Sequence, residues 1–193
     1  MDAVDAIYGR RAIRNFTGQT PPREEIEALI EAAVQAPNGM NRQPWAFVVV
    51  EDKAALARFS TAAKAYLMRT MPASSPLHSH REHLVSSDFN IFYNAPVLVV
   101  ICATDPDPMS AKDCCLAAEN MMLAAHDRRI GTCWIGFAEA WLNSAEGKQA
   151  LGIPESHTVV APIIVGHAAE TPARPHRNTP AVRWVGQPVH TPA

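Results

Sequence analysis

The sequence predicts an α+β or α/β layered domain with helices on both faces of a central sheet, and three observations lead there. Strand-sized apolar runs, WAFVVV, VLVVICA and HTVVAPIIVGH, alternate with segments whose apolar residues recur at helical spacing. The chain has 193 residues, 48% of them hydrophobic, which suffices for one sizeable core and leaves little for a second. No internal repeat or linker divides it, so residues 1–193 are expected to form one domain. Pattern alone leaves strand order open.

Val4, Ile7 and Tyr8 share a helical face before Gly9, which predicts a short helix over residues 2–8. Ile26, Leu29, Ile30, Ala33 and Val34 mark a second helix, with Thr20 as N-cap, Pro21 at the first helical position and Pro37 as terminator. The loop PNGMNRQP then leads into WAFVVV, whose continuous apolar character predicts a strand buried on both faces. Asp52 caps a helix carrying Leu56, Phe59, Ala63 and Leu67. The following TMPASSPLHSH breaks the pattern, so residues 66–92 are expected to form a variable, lid-like region.

A second helical stretch passes through Asn94 and Pro96 to the buried strand VLVVICA. Residues 113–126 are apolar on almost every side, and a helix without a polar face must be covered all round, which leads to the expectation of a subunit interface here. IGTCWIGF is a short Gly-bounded segment, residues 143–151 read as a helix ended by Gly152, and HTVVAPIIVGH is a third strong strand. Residues 168–193 are proline-rich and aperiodic, an extended tail expected to be ordered by packing on the other subunit.

The net charge of −2 argues against a nucleic-acid or anionic-membrane surface, which needs a broad basic face. The four cysteines form no C-x-x-C pair, and adjacent Cys114 and Cys115 in an apolar helix read as small buried residues of a reduced cytoplasmic protein. No apolar leader run opens the chain, and its apolar runs are too short to span a membrane. His78, His80, Glu82 and His83 lack the closed, supported ligand set of a metal site, so no metal is assigned.

Against this background the run RRAIRNF stands out. Arg10, Arg11 and Arg14 offer paired planar donors matched to phosphate oxygens, or else are ordinary surface arginines paired with Asp2, Asp5 or Glu24. In APNGMNRQPW, Asn38, Asn41 and Gln43 both donate and accept, as a flavin's pyrimidine edge requires, although an Asn/Gly turn bonding to itself has the same composition.

RRAIRNF, APNGMNRQPW and IGTCWIGF, in this order, resemble the nitroreductase family of flavin-dependent oxidoreductases over nearly the whole chain. Arg10, Arg11, Arg14 and Phe16 match the family's first element, while Ala12 stands where serine is common, so a backbone N–H replaces a hydroxyl. Ala36, Pro37, Asn41, Gln43, Pro44 and Trp45 match the second, with Asn38 in place of serine. The resemblance implies an α+β, three-layer α/β/α sandwich with a mostly antiparallel sheet, and an intertwined homodimer with two interface sites. It also implies that FMN is the cofactor, its phosphate clamped by Arg10, Arg11, Ala12, Arg14 and Arg177, with Arg174 beside them. The loop of Pro37, Asn38, Asn41 and Gln43 would be offered partly to the partner's flavin, and Trp134, Ile135 and Gly136 would present backbone groups near flavin N5 and O4.

The activity implied is ping-pong oxidoreduction: NAD(P)H reduces the flavin at N5, leaves, and is replaced by a nitroaromatic, quinone or activated alkene. No side chain is then needed as the catalytic group. The chain has no G-x-G-x-x-G motif, consistent with NAD(P)H as a passing substrate. Substrate choice is expected from residues 66–92 with Phe137 and Trp141. Two other readings stand beside this one: an FMN carrier or redox-responsive protein with little turnover, and specialised flavin chemistry such as reductive dehalogenation or flavin cleavage.

Overall fold

The computed structural model describes residues 2–186. Its centre is a four-stranded sheet in the order β1-β2-β4-β3, formed by β1 (Trp45–Val50), β2 (Val97–Ala103), β3 (Gly131–Trp134) and β4 (Thr158–Gly166). Every neighbouring pair is antiparallel. Helices α2 (Arg23–Ala33) and α5 (Pro108–Asp127) cover one face. Helices α3 (Lys53–Thr70) and α6 (Gly136–Leu142) cover the other, giving the three layers.

The central strands β2 and β4 are buried along nearly their whole length, which is why they read as unbroken apolar runs. WAFVVV differs from its prediction. As an edge strand it is only partly buried, and Val49 is 40% exposed. Its alternating side chains do reach both layers: Trp45 and Phe47 pack towards α2 and α5, Val48 and Val50 towards α3.

Helix α1 (Ala3–Gly9) starts where predicted, its first turn closed by the Asp2 carboxylate accepting the Val4 N–H at 2.7 Å. Helix α2 does not. It begins at Arg23 with Pro22 in the cap position, so Thr20 is no N-cap and Pro21 lies outside. The cause is the Pro21-Pro22 pair, since a residue preceding proline is pushed out of the helical region. Asp52 caps α3 through the Ala54 and Ala55 N–H groups, and α5 begins at Pro108 behind an Asp107 cap. The segment IGTCWIGF resolves into β3 and the start of α6, and the helix predicted over residues 143–151 shortens to α7 (Ala145–Leu151), with Ser144 as cap and Gly152 at φ 66 as stop.

Two further expectations change. Cys114 is buried under the sheet, but Cys115 is exposed on this chain, because neighbouring helical residues point about 100° apart. Trp141, expected to shape substrate choice, is a core residue whose ring centroid lies 5.4 Å from that of Phe59. The region after α3 carries a 3-10 turn (Pro76–His80) and the short helix α4 (Arg81–Val85). Its far end is tied down by buried Lys64, which donates to the Ser86 and Phe89 carbonyls at 2.7 and 2.6 Å. The tail is extended and exposed from residue 170 to 186, and residues 187–193 lie outside the described chain.

Residues 10–17 run along the outer edge of the sheet. The Ile13 N–H donates to the Thr132 carbonyl at 2.9 Å, and Ala12 bridges Thr132 in parallel fashion, which covers the free edge of β3. Phe16 bridges Ala168, the Thr17 N–H reaches His167 O at 3.0 Å, and the Ala169 N–H returns to Asn15 O at 3.0 Å. Gly166 makes this approach possible: a Cβ there would lie 2.7 Å from Pro96 Cδ and 2.9 Å from Phe16 Cδ1. Gly166→Ala is therefore expected to destabilise the fold by about 1–3 kcal/mol in urea denaturation, the usual cost of forcing extra volume into a packed site. A cost near zero would mean that Phe16 is not held there.

Candidate functional site

Residues 10–14 pass along the edge of β3, and of these five only Ile13 is buried. Ile13 is buried against the sheet, while Arg10, Arg11, Ala12 and Arg14 line a cavity of about 340 Å3 closed by Pro172, Ala173, Pro175 and Arg177. The N-terminal arginines and Arg177 thus meet although they are far apart in sequence. Arg174 lies at the margin, its guanidinium carbon 5.1 Å from the Tyr8 ring centre, in an adjoining cavity with Arg10, Arg11 and Arg177. None of the carboxylates of Asp2, Asp5 or Glu24 takes these arginines in an ion pair among the described residues. Arg10 Nε instead lies 3.7 Å from Glu119, a weak half-exposed pair.

The arginines are not equivalent. Arg11 Nη1 donates to the Tyr8, Gly9 and Arg10 carbonyls at 2.9, 2.8 and 2.7 Å, closing the C-terminal end of α1. Its Nε is buried without a partner. Arg14 is exposed, stands 5.8 Å from the Tyr93 ring centre, and belongs to a second cavity of about 310 Å3 with Cys133, Trp134, Ile135, Gly136 and Phe137. Arg14 therefore joins an arginine-lined cavity to one walled by aromatic and backbone groups. The Ala12 N–H, which stands where a hydroxyl was expected, has no acceptor among the described residues.

In the second cavity the backbone donors also differ. The Ile135 N–H is spent on the Pro162 carbonyl at 2.8 Å, which removes it as a ligand donor. The Gly136 N–H has no acceptor among the described residues, and a Cβ on Gly136 would meet nothing within 4 Å. A flat ring can approach that backbone closely. Phe137 is contacted by His80 from the 3-10 turn at 5.9 Å between ring centres, so the segment after α3 reaches this wall. His78 bonds to the Pro72 carbonyl at 3.0 Å and His83 packs on Phe89, so the three imidazoles have three separate neighbours.

The loop of Pro37, Asn38, Asn41 and Gln43 lines none of these cavities. It packs instead on the N-terminal half of α5, where the Gly39 N–H donates to Asp113 at 3.2 Å and Arg42 pairs with Asp107 at 2.7 Å. Met40, Asn41 and Gln43 all have φ between 51° and 54°, a left-handed conformation that costs energy for residues with a Cβ. Asn38 holds it: its Oδ1 accepts the Gln43 N–H at 2.8 Å and its Nδ2 donates to Ala36 O at 3.4 Å. Asn38 thus works within the loop, leaving the side chains of Asn41 and Gln43 and the 88% exposed Met40 to face outward.

The loop's base rests on a buried thiol, with Cys114 Sγ 3.8 Å from the Pro44 carbonyl. Burial pushes the Cys114 thiol up to about 12 and Cys102 up to about 11 from an ordinary 9.0. Both groups ionise first in the unfolded chain, so their stabilising effect is complete below pH 9.0 and is lost as pH rises towards those folded values. The urea midpoint is expected to fall between about pH 8 and about pH 10.5, and to fall less steeply in Cys114→Ala. Equal slopes would show that this thiol stays protonated for no energetic reason.

A sequence profile of the nitroreductase family matches residues 7–167. A protein of Archaeoglobus fulgidus, provisionally named NADH dehydrogenase/NAD(P)H nitroreductase, is 30% identical over 171 residues, covering 86% of this chain and 85% of its own. A nitroreductase of Bacteroides fragilis solved with bound FMN superposes with a TM-score of 0.80 at 28% identity, over 96% of this chain and 99% of that one. The iodotyrosine deiodinase of Thermotoga neapolitana is 26% identical over 138 residues, 66% of this chain and 70% of its own.

Proposed function

The chain belongs to the nitroreductase family, and from that premise we propose that it is an FMN-dependent oxidoreductase using NAD(P)H to reduce nitroaromatics, quinones or activated alkenes. The observation that carries this reading is Arg14, shared between the arginine-lined cavity and the cavity of Trp134, Ile135 and Gly136. A cofactor with a phosphate at one end and a flat heterocycle at the other fits that pair of cavities. The donor chemistry fits too: several guanidiniums and the Ala12 N–H at the phosphate end, an open backbone at Gly136 at the ring end.

FMN, when bound, supplies the two-electron chemistry, accepting a hydride from NAD(P)H and passing reducing equivalents to the acceptor. The residues supply position and charge. Arg10, Arg14 and Arg177 would hold its phosphate, while Arg11, its Nη1 committed to α1, would contribute charge and orders the segment. Of the Ile135 and Gly136 N–H groups, it is that of Gly136 that would donate to the ring edge, because the Ile135 N–H is already bonded to Pro162 O. Trp134 and Phe137 wall the ring site, and His80 and Tyr93 border the space for the second substrate.

Asn41 and Gln43, with Pro37, complete the site of a second copy in a homodimer while Asn38 holds the loop that presents them, which accounts for an energetically costly loop that lines none of this chain's own cavities described above. Val4, Ile7 and Tyr8 on α1 and Leu116 on α5, each between 46% and 59% exposed, supply apolar surface for that contact. Reductive dehalogenation is a second reading, favoured by the likeness to iodotyrosine deiodinase. It predicts halide release from a halogenated aromatic by the reduced enzyme and inertness towards simple nitroaromatics and quinones.

Arg14→Ala should weaken FMN binding by about 1.5–3 kcal/mol, the range for a hydrogen bond to a charged group, read by fluorescence titration. Unchanged affinity would remove Arg14 from the clamp. In sedimentation the FMN-loaded protein should run as a dimer, and a monomer still carrying FMN would defeat the shared site.

A further inference from the structure

Beside the arginine segment lies another cavity, of about 360 Å3, lined by Arg10, Arg11, Ile13, His126, Arg129, Gly131, Thr132 and Thr171 among others. It shares Arg10 and Arg11 with the assigned FMN-phosphate cavity but is otherwise lined differently: Ala12, Arg14 and Arg177 line that cavity, whereas Ile13, His126 and Arg129 line this one. Three arginines and a histidine surround it and no carboxylate is among its lining residues. Such a setting attracts a compact anion.

Arg129 is the residue that marks the site. The end of α5 is closed by the Arg129 N–H to His126 O at 3.0 Å and the Ile130 N–H to Ala125 O at 2.8 Å, a termination that requires a left-handed residue next to the helix end. Glycine is the usual occupant, yet arginine stands there at φ 60 and carries the conformational cost. Its guanidinium has no carboxylate partner among the described residues. The strained position aims no ion pair or capping bond; it adds a third guanidinium to the cavity. Gly9 meanwhile makes room for His126, since a Cβ there would lie 2.5 Å from His126 Nε2.

We propose that this cavity is a second anion site, distinct from the FMN clamp, that takes a phosphate monoester or a comparable tetrahedral oxyanion. Two sources share that chemistry: the 2′-phosphate that distinguishes NADPH from NADH, and a free phosphorylated small molecule. Thr132 and Thr171 add hydroxyls of the kind such a group uses, and Arg10 and Arg11, which line both cavities, couple the two sites electrostatically.

The test uses the FMN-loaded protein and Arg129→Gly, a substitution that suits the left-handed backbone and so is expected to fold and to melt slightly higher. Inorganic phosphate at about 20 mM, against chloride at equal ionic strength, should raise the wild-type Tm by about 2–4 °C and leave Arg129→Gly unmoved. FMN affinity should stay within about twofold in the variant, since a lost clamp contact would change it about tenfold or more. A rise of about tenfold in KM for NADPH with KM for NADH unchanged assigns the site to the nucleotide's 2′-phosphate; equal KM values assign it to a free phosphate ligand. No phosphate response in the wild type, the same response in the variant, or loss of FMN together with phosphate overturns the proposal. The last outcome would make Arg129 part of the clamp and leave the FMN assignment standing.

Discussion

The three backbone hydrogen bonds that hold residues 10–17 against Thr132 and residues 167–169 are what the site depends on. Pairing with Thr132 fixes which side chains turn inward, and the link to residues 167–169 brings the start of the chain beside the stretch that leads to Arg177. Backbone bonds of this kind are modest one by one, but here they decide where several guanidiniums point. Ile13 is the anchor: its burial against the sheet leaves Arg14 facing out on one side, and it packs so closely that Gly131 has no room for a Cβ. An arginine cluster floating on a loop would lose far more entropy on gripping a phosphate than one already tied at both ends.

The same logic of prior ordering applies to the loop before β1. Three non-glycine residues in left-handed conformation are held by Asn38, Asp113 and the Arg42–Asp107 pair, so the cost is borne by the fold before any ligand arrives. That loop and the Arg14 cavities occupy separate parts of one chain. A site that needs both is naturally built from two copies, which would tie cofactor affinity to association of the subunits.

Much of the frame was legible in the sequence, for physical reasons that also explain the gaps. Val97–Ala103 and Thr158–Gly166 are central strands, and full burial writes itself as an unbroken apolar run. WAFVVV has the same composition but lies at an edge, and strand order is a property of topology that no local pattern carries. The start of α2 was misplaced because Pro21 suits a first helical position, while Pro22 behind it forbids that residue the helical conformation. The arginine cluster and its meeting with Arg177 were anticipated from the motifs and the family likeness. The spent Ile135 N–H, the inward-bonded Asn38 and the cost carried by Arg129 were not, because each depends on which backbone groups are already paired.

The central claim is that the paired cavities joined at Arg14 hold a flavin that NAD(P)H reduces. An absorbance spectrum of freshly purified protein, followed by anaerobic addition of NADH and then NADPH, addresses it directly. A flavin held in those cavities gives the bands of oxidised flavin, and they bleach on addition of a nicotinamide nucleotide. A colourless protein that also fails to take up added FMN would contradict it, and the arginines at the edge of the sheet would then need another partner.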